Sequence, residues 1–208
     1  MQIAKGVHRI GSDIVNSYLV VDQDGVTIID AGLPRYWKLL NSELARIGKS
    51  LGDVRALILT HGDTDHIGFA ARLHRETGIP AYLHPADDAR AHLEVKKPNS
   101  GWGPVKIGPL AGFMWYSARQ GGLRIPPAGE LRPVEDGQVL DVPGAPRIIH
   151  MPGHTPGSVA VHVPAVDALF IGDTMTTRNV LTGAGHGPAW NGGAAEAIRL
   201  TREAAPNV

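Results

Sequence analysis

The 208 residues carry 20 basic and 20 acidic side chains, so no net charge draws the chain to nucleic acid or an anionic membrane, and a small-molecule substrate is the expected partner. The length suits a single domain over 1–208. The chain has no cysteine, which excludes disulfides, thiolate ligands and a cysteine nucleophile, and leaves any metal to the ten histidines and the carboxylates.

The opening "MQIAKGVHRIGSD" holds no long apolar stretch, and no run of roughly 18 apolar residues occurs anywhere. Neither a signal peptide nor a membrane span is expected, and a cytoplasmic location is the default. "IVNSYLVV" (14–21) and "GVTIIDAG" (25–32) read as a β meander ending at Asp30. Pro34 opens an amphipathic helix in which Trp37, Leu40, Leu44 and Ile47 share one face and Gly48 supplies the stop. "VRALILT" (54–60) is a fully apolar strand, and "HIGFAARLHRETG" is a helix beginning in the motif that follows the strand. Further strands are expected at 79–84, 146–151, 158–163 and 167–172. Between 96 and 130 the texture changes to Pro, Gly and aromatic residues, which reads as an inserted, lid-like loop with one or two short helices. Near the end, "NGGAAEAIRLTREAA" reads as a helix with Ala195, Ile198 and Leu200 available to pack.

Three segments each place candidate metal ligands after an apolar strand: "HGDTDH" with His61, Asp63, Asp65 and His66; "MPGHTPGS" with His154; and "LFIGDT" with Asp173. Alternate residues of a loop point the same way, so His61 and Asp63 suit one ion while Asp65 and His66 turn to another. Imidazole and carboxylate are ligands for zinc or iron. Asp173, with two oxygens, is the natural bridge.

Taken together, these segments resemble the metallo-β-lactamase superfamily of metallohydrolases, whose pattern is H-x-H-x-D-H, a "GHTPGS"-like histidine, a "GD" aspartate and a final histidine. The similarity runs from about Ile14 to Asp173 and takes in "IIDAG" with Asp30. The resemblance implies an α+β chain folded as a four-layer αββα sandwich, with two divalent ions at one edge and hydrolysis by a metal-bound hydroxide. By the family pattern His61, Asp63 and His154 hold the first ion, Asp65, His66 and a terminal histidine the second, and Asp173 both. Asp65 is also the catalytic residue, orienting the nucleophile. The expected substrate carries an ester, thioester or lactone carbonyl.

Two departures stand out. Asp63 occupies the place of the family's second histidine, giving three carboxylate ligands and a formal site charge that falls from one positive to zero, which makes the metals weaker Lewis acids. Zinc remains the first expectation, while the added oxygen ligand favours iron or manganese more than the family pattern does. An acid at this place is also reminiscent of the superfamily's diiron oxidoreductases, but 208 residues leave no room for their flavin domain. The final histidine has one counterpart, His186 in "GAGHGPAW", set in a glycine-flanked loop soon after Asp173 with no apolar strand leading into it. Part of the C-terminal half therefore reads as missing, and a catalytically impaired binding module is the alternative function.

Asp30 is expected to hydrogen-bond the ligand loop or its own turn, and His84 and His150 to sit behind the ligands or in the core. His8, His74, His92 and His162 read as structural or surface residues. Trp102, Phe113, Trp115 and Tyr116 are candidates for an apolar substrate pocket, with Met114 beside them; a small satellite core under the long loop is the competing reading.

Overall fold

The computed structural model describes residues 1–95, 106–178 and 185–190. Strands β1 (Gln2–Ala4), β2 (Val7–Gly11), β3 (Asn16–Val21) and β4 (Val26–Ile29) run antiparallel in chain order. The β3–β4 turn is fixed by Asp22, whose Oδ1 accepts from the amides of Asp24 and Gly25 at 2.8 and 3.1 Å. Helix α1 (Tyr36–Arg46) then carries the chain to β5 (Val54–Ile58), which lies parallel to β4 and so requires such a crossover. Helix α2 (Ala70–Thr77) leads to β6 (Ala81–Leu83), and α3 (Asp88–Ala91) and α4 (Ile107–Arg119) precede β7 (Leu131–Pro133). The result is a seven-stranded sheet in the order β1 to β7, antiparallel in its first half and parallel in its second. Strands β8 (Arg147–His150), β9 (Val159–Val163) and β10 (Ala168–Phe170) form a second, antiparallel sheet, and β11 (Met175–Arg178) pairs with β12 (Gly185–Trp190).

Period-two alternation sorts the core. Leu19, Ile28 and Leu57 of β3, β4 and β5 join Tyr36, Leu40 and Leu44 of α1 and Leu73 of α2, whereas the neighbouring Val20, Ile29 and Ile58 face Ile148, Val159 and Val161 of the second sheet. Each such side chain, buried completely, contributes about 1.5–3 kcal/mol relative to exposure. Helices on one face of the large sheet and a second sheet on the other make three layers of an αββα sandwich. The helix expected from "NGGAAEAIRLTREAA" lies outside the described residues.

Four sequence expectations change. Strands β1, β2 and β7 were not anticipated; they are short and, in β1 and β7, mostly exposed, so no apolar run marks them. Helix α2 starts at Ala70, not within the His/Asp motif, because the intervening loop is tied to the chain after β4: His66 O accepts from Ala31 N at 2.6 Å and Gly68 N donates to Gly32 O at 2.8 Å. Among the described residues of the inserted region, 106–130, there is one 13-residue helix, α4, in place of shorter pieces. His186 lies in strand β12, paired through its neighbours Gly185 and Ala189 with β11, not in a loop. No helix among the described residues is long and apolar enough to cross a membrane.

A charge cluster anchors α1 to β2. Glu43 is nearly buried and accepts from Arg46 at 2.7 Å, from the Met1 amino group at 2.8 Å and from His8 at 3.0 Å. Arg46 above all, then the amino group and His8, hold its carboxyl well below the usual range against the opposing effect of burial. A depressed carboxyl stabilises the fold fully above its unfolded pKa of about 4.3 and loses that contribution as pH falls toward the lower, folded value. Urea titrations of wild type and Glu43→Gln are therefore expected to differ most at neutral pH and to converge steadily below about pH 4.5. A difference independent of pH would mean that charge on Glu43 is not the source.

Candidate metal centre

All the sequence-selected segments reach one edge of the sandwich, the end where β4, β5, β6, β8 and β10 finish. Loops beyond strand C-termini in such sheets are the usual place for a ligand site. Asp30 follows β4, His61 to His66 follow β5, His154 follows β8 and Asp173 follows β10.

Two groups of donor atoms converge there, each within 4.8 Å: His61 with Asp63 and His154, and His61 with His66 and Asp173. The imidazoles of His61 and His66 have centroids 4.0 Å apart, and His154 meets His61 edge-on at 4.8 Å. Asp173 spans the two groups, with Oδ1 3.4 Å from His66 Nε2 and Oδ2 3.7 Å from His154 Nε2. Asp65 is half-buried and lines the cleft beside His66 and Asp173, but lies outside both tight groups. His186 has its backbone in β12, and Trp102 lies outside the described residues.

The hydrogen bonds behind the ligands set the imidazole tautomers. Asp30, at a left-handed φ of 61° that aspartate tolerates, accepts from Thr60 N at 2.8 Å, from the Thr60 hydroxyl at 2.9 Å and from His66 Nδ1 at 2.9 Å. With its one hydrogen committed to Asp30, the Thr60 hydroxyl is left to accept from His61 Nδ1, 3.1 Å away. Both histidines thus carry hydrogen on Nδ1 and direct Nε2 into the centre, as a carboxylate behind a metal-bound histidine does. Asp30 performs the loop-bonding role expected for it.

His61 Nε2 is buried without a hydrogen-bond partner among the described residues. Such an atom is costly unless something else meets it, and a cation among imidazole and carboxylate donors does so. The residues present therefore fit a divalent metal. Burial and the neighbouring His66 push His61 well below the usual imidazole range, which favours the neutral, ligating form. Burial opposes charge on His66, but Asp30 and Asp173 outweigh it and raise its pKa. Burial likewise opposes charge on Asp173, and His66, His61 and His154 outweigh it to lower its pKa.

Two residues with no role in the sequence reading join the site. Asp87, fully buried, accepts from Gly62 N at 2.9 Å, Gly157 N at 2.9 Å and the Thr155 hydroxyl at 2.6 Å, tying the His61 loop to the His154 loop. A Cβ on Gly62 or Gly157 would stand 2.8 or 2.7 Å from Asp87 atoms, so both glycines are needed for the approach. Arg90 of α3 donates to Asp63 Oδ1 at 2.9 Å. Both residues follow the strand expected at 79–84, and that place beyond a strand end is the signal that could have pointed to them. His84 and His150 stack on each other at 4.0 Å and take no part in the two donor groups.

Beside Asp65, His66 and Asp173 opens a cleft of about 530 Å³ with Ile14, Tyr18, Phe170 and Met175 in its walls. Phe113, Trp115 and Tyr116 lie on α4, away from these walls. Trp115 is 66% exposed and under Arg119, while the Tyr116 hydroxyl meets that of Tyr36, which donates to Val15 O at 2.8 Å. Burial first, then Tyr116 and Asp65, push the Tyr36 hydroxyl upward, so it stays protonated.

Comparison with known proteins agrees with this geometry. The probable metallo-hydrolase YflN of Bacillus subtilis is 31% identical over 187 residues, covering 85% of this chain and 66% of its own length. The uncharacterized protein Rv2581c of Mycobacterium tuberculosis is 34% identical over 131 residues, covering 60% of this chain and 53% of its own. The chain thus spans about half to two thirds of the curated relatives it matches. Among solved structures, Rm3 metallo-beta-lactamase superposes with a TM-score of 0.59 at 23% identity, over 77% of this chain and 54% of the other, a likeness of fold. The metallo-beta-lactamase superfamily profile matches residues 10–203, which extends the likeness across nearly the whole sequence. With the αββα layers and the convergent His/Asp donors, that match establishes that the chain belongs to the metallo-beta-lactamase superfamily.

Proposed function

We propose that the chain is a metal-dependent hydrolase of an ester, thioester or lactone carbonyl, with two divalent ions, zinc first, held by His61, Asp63, His154, Asp65, His66 and Asp173, and with His186 completing the second position. The observation that carries this reading is the pair of donor groups sharing His61, whose Nε2 is otherwise unmet. A divalent ion there supplies Lewis acidity to a carbonyl oxygen and makes water a stronger acid.

The chain's own residues do the rest. Asp30 and Thr60 keep the His66 and His61 lone pairs pointed inward. Asp65 orients water at its carboxylate and takes up its proton. The cleft is of small-molecule size, and Ile14, Phe170 and Met175 offer an acyl group an apolar wall.

Protein loaded with zinc, analysed for metal per chain and assayed on a panel of nitrophenyl esters, thioesters and lactones, tests the proposal. Turnover is expected, with kcat falling roughly 100- to 10,000-fold in Asp65→Asn, the usual worth of a positioned acid–base group. Zinc-loaded protein that turns over nothing in the panel would favour the other reading, a metal-binding module without catalysis. That reading draws on one observation, the short interval of thirteen positions from Asp173 to His186.

A further inference from the structure

Arg90 changes what the carboxylate at position 63 means. The two oxygens of Asp63 have separate partners: Oδ1 accepts from Arg90 Nη1 at 2.9 Å, and Oδ2 faces His154 Nε2 at 3.2 Å and His61 Nε2 at 3.8 Å. The pair is sheltered, with the Arg90 side chain 16% and the Asp63 side chain 5% exposed. Its position is built in: the Gly62 backbone lies so close to α3 that an added Cβ would stand 3.2 Å from Arg90 Cβ. The residue before Asp63 is thus pressed onto the turn that carries the arginine.

A lone carboxylate in place of a neutral imidazole adds one negative charge to a site that already holds Asp65 and Asp173. Asp63 and Arg90 together add none. We infer that Arg90 is a positioning residue that acts through Asp63: it restricts the carboxylate to one oxygen for the ion and restores the charge balance of a neutral third ligand. The weaker Lewis acidity expected from three carboxylates is then offset within the chain. The inference rests on His61, Asp63 and His154 holding a cation, and it makes positions 63 and 90 a coupled pair.

The coupling implies that Asp63→His, which would match the family's ligand pattern, harms the site while Arg90 remains, because it leaves a sheltered guanidinium beside a dication. Zinc dissociation constants from chelator competition, for wild type, Asp63→His, Arg90→Met and the double variant, test this without any assay of turnover. Asp63→His is expected to weaken zinc about 10- to 100-fold, the usual scale for disturbing the groups around a metal. Arg90→Met is expected to be at least about tenfold more favourable in the Asp63→His background than in the wild-type background. Equal effects of Arg90→Met in both backgrounds, or wild-type affinity in Asp63→His, would overturn the inference. If Asp63→His does not fold, as judged by circular dichroism, the same cycle on Asp63→Asn keeps the shape, removes the charge and carries the same expectation. Failure of the underlying metal reading looks different: wild-type protein then holds no zinc, and His61→Ala changes nothing.

Discussion

Asp87→Ala is expected to cost the fold about 2–6 kcal/mol, because it strands two buried amides, Gly62 N and Gly157 N, at about 1–3 kcal/mol each. The third donor, the Thr155 hydroxyl, has Ser158 Oγ at 2.8 Å as another partner and adds little. For a chain of this size the loss corresponds to a fall in Tm of roughly 5–20 °C. Stability is only half of the expectation. Asp87 joins the loop of His61 and Asp63 to the loop of His154, so zinc affinity should fall with it. Leu40→Ala, a cavity in α1 expected to cost about 2–5 kcal/mol, provides the comparison: it should destabilise to a similar degree and leave zinc affinity unchanged. Thermal denaturation and chelator competition on the two variants separate these cases. If Asp87→Ala melts within a degree or two of wild type, or if Leu40→Ala loses zinc to the same extent, Asp87 is not the tie between the loops.

The sequence made visible what is local. His61, Asp63, Asp65 and His66 stand in six consecutive positions, and His154 and Asp173 each end an apolar run, so ligand types and strand ends could be read together. Strands β4, β5, β8 and β9 were legible because their buried residues are largely contiguous, and β3 and β10 because they fall in short apolar runs. Asp87 and Arg90 were not, because their partners lie 25 to 70 positions away and their own neighbourhood reads as an ordinary turn. Helix α4 was hidden by Gly108, Pro109 and Gly112, which argue against a helix of that length. Pro109 falls in the first turn, where its missing amide would have had no helical partner. Strand β2 was obscured by His8 and Arg9; His8 is buried beside Glu43 and Arg46 of α1, both 3.0 Å from its Nδ1. Apart from α4, these misses are cases in which a residue's environment is supplied by a distant part of the chain.

His61→Leu is expected to separate the demands of metal binding from those of folding. His61 belongs to both donor groups, whereas His154 belongs to one. Loss of His61 should therefore abolish zinc stabilisation, while His154→Ala should retain part of it. For wild type, free zinc at a hundredfold excess over its dissociation constant adds about 2.7 kcal/mol; the melting temperature of His61→Leu should not respond to zinc. In chelator the order is expected to reverse. The buried Nε2 of His61, unmet when no cation is present, carries a desolvation cost of about 1–3 kcal/mol that leucine does not. Metal-free His61→Leu should melt at or above metal-free wild type, even though an internal residue with 1% exposure has been replaced. Two melting curves per protein, with zinc and with chelator, measure both effects. A variant that still responds to zinc would remove His61 from the ligand set, and one that melts far below wild type in chelator would show that Nε2 has a partner of its own in the folded chain.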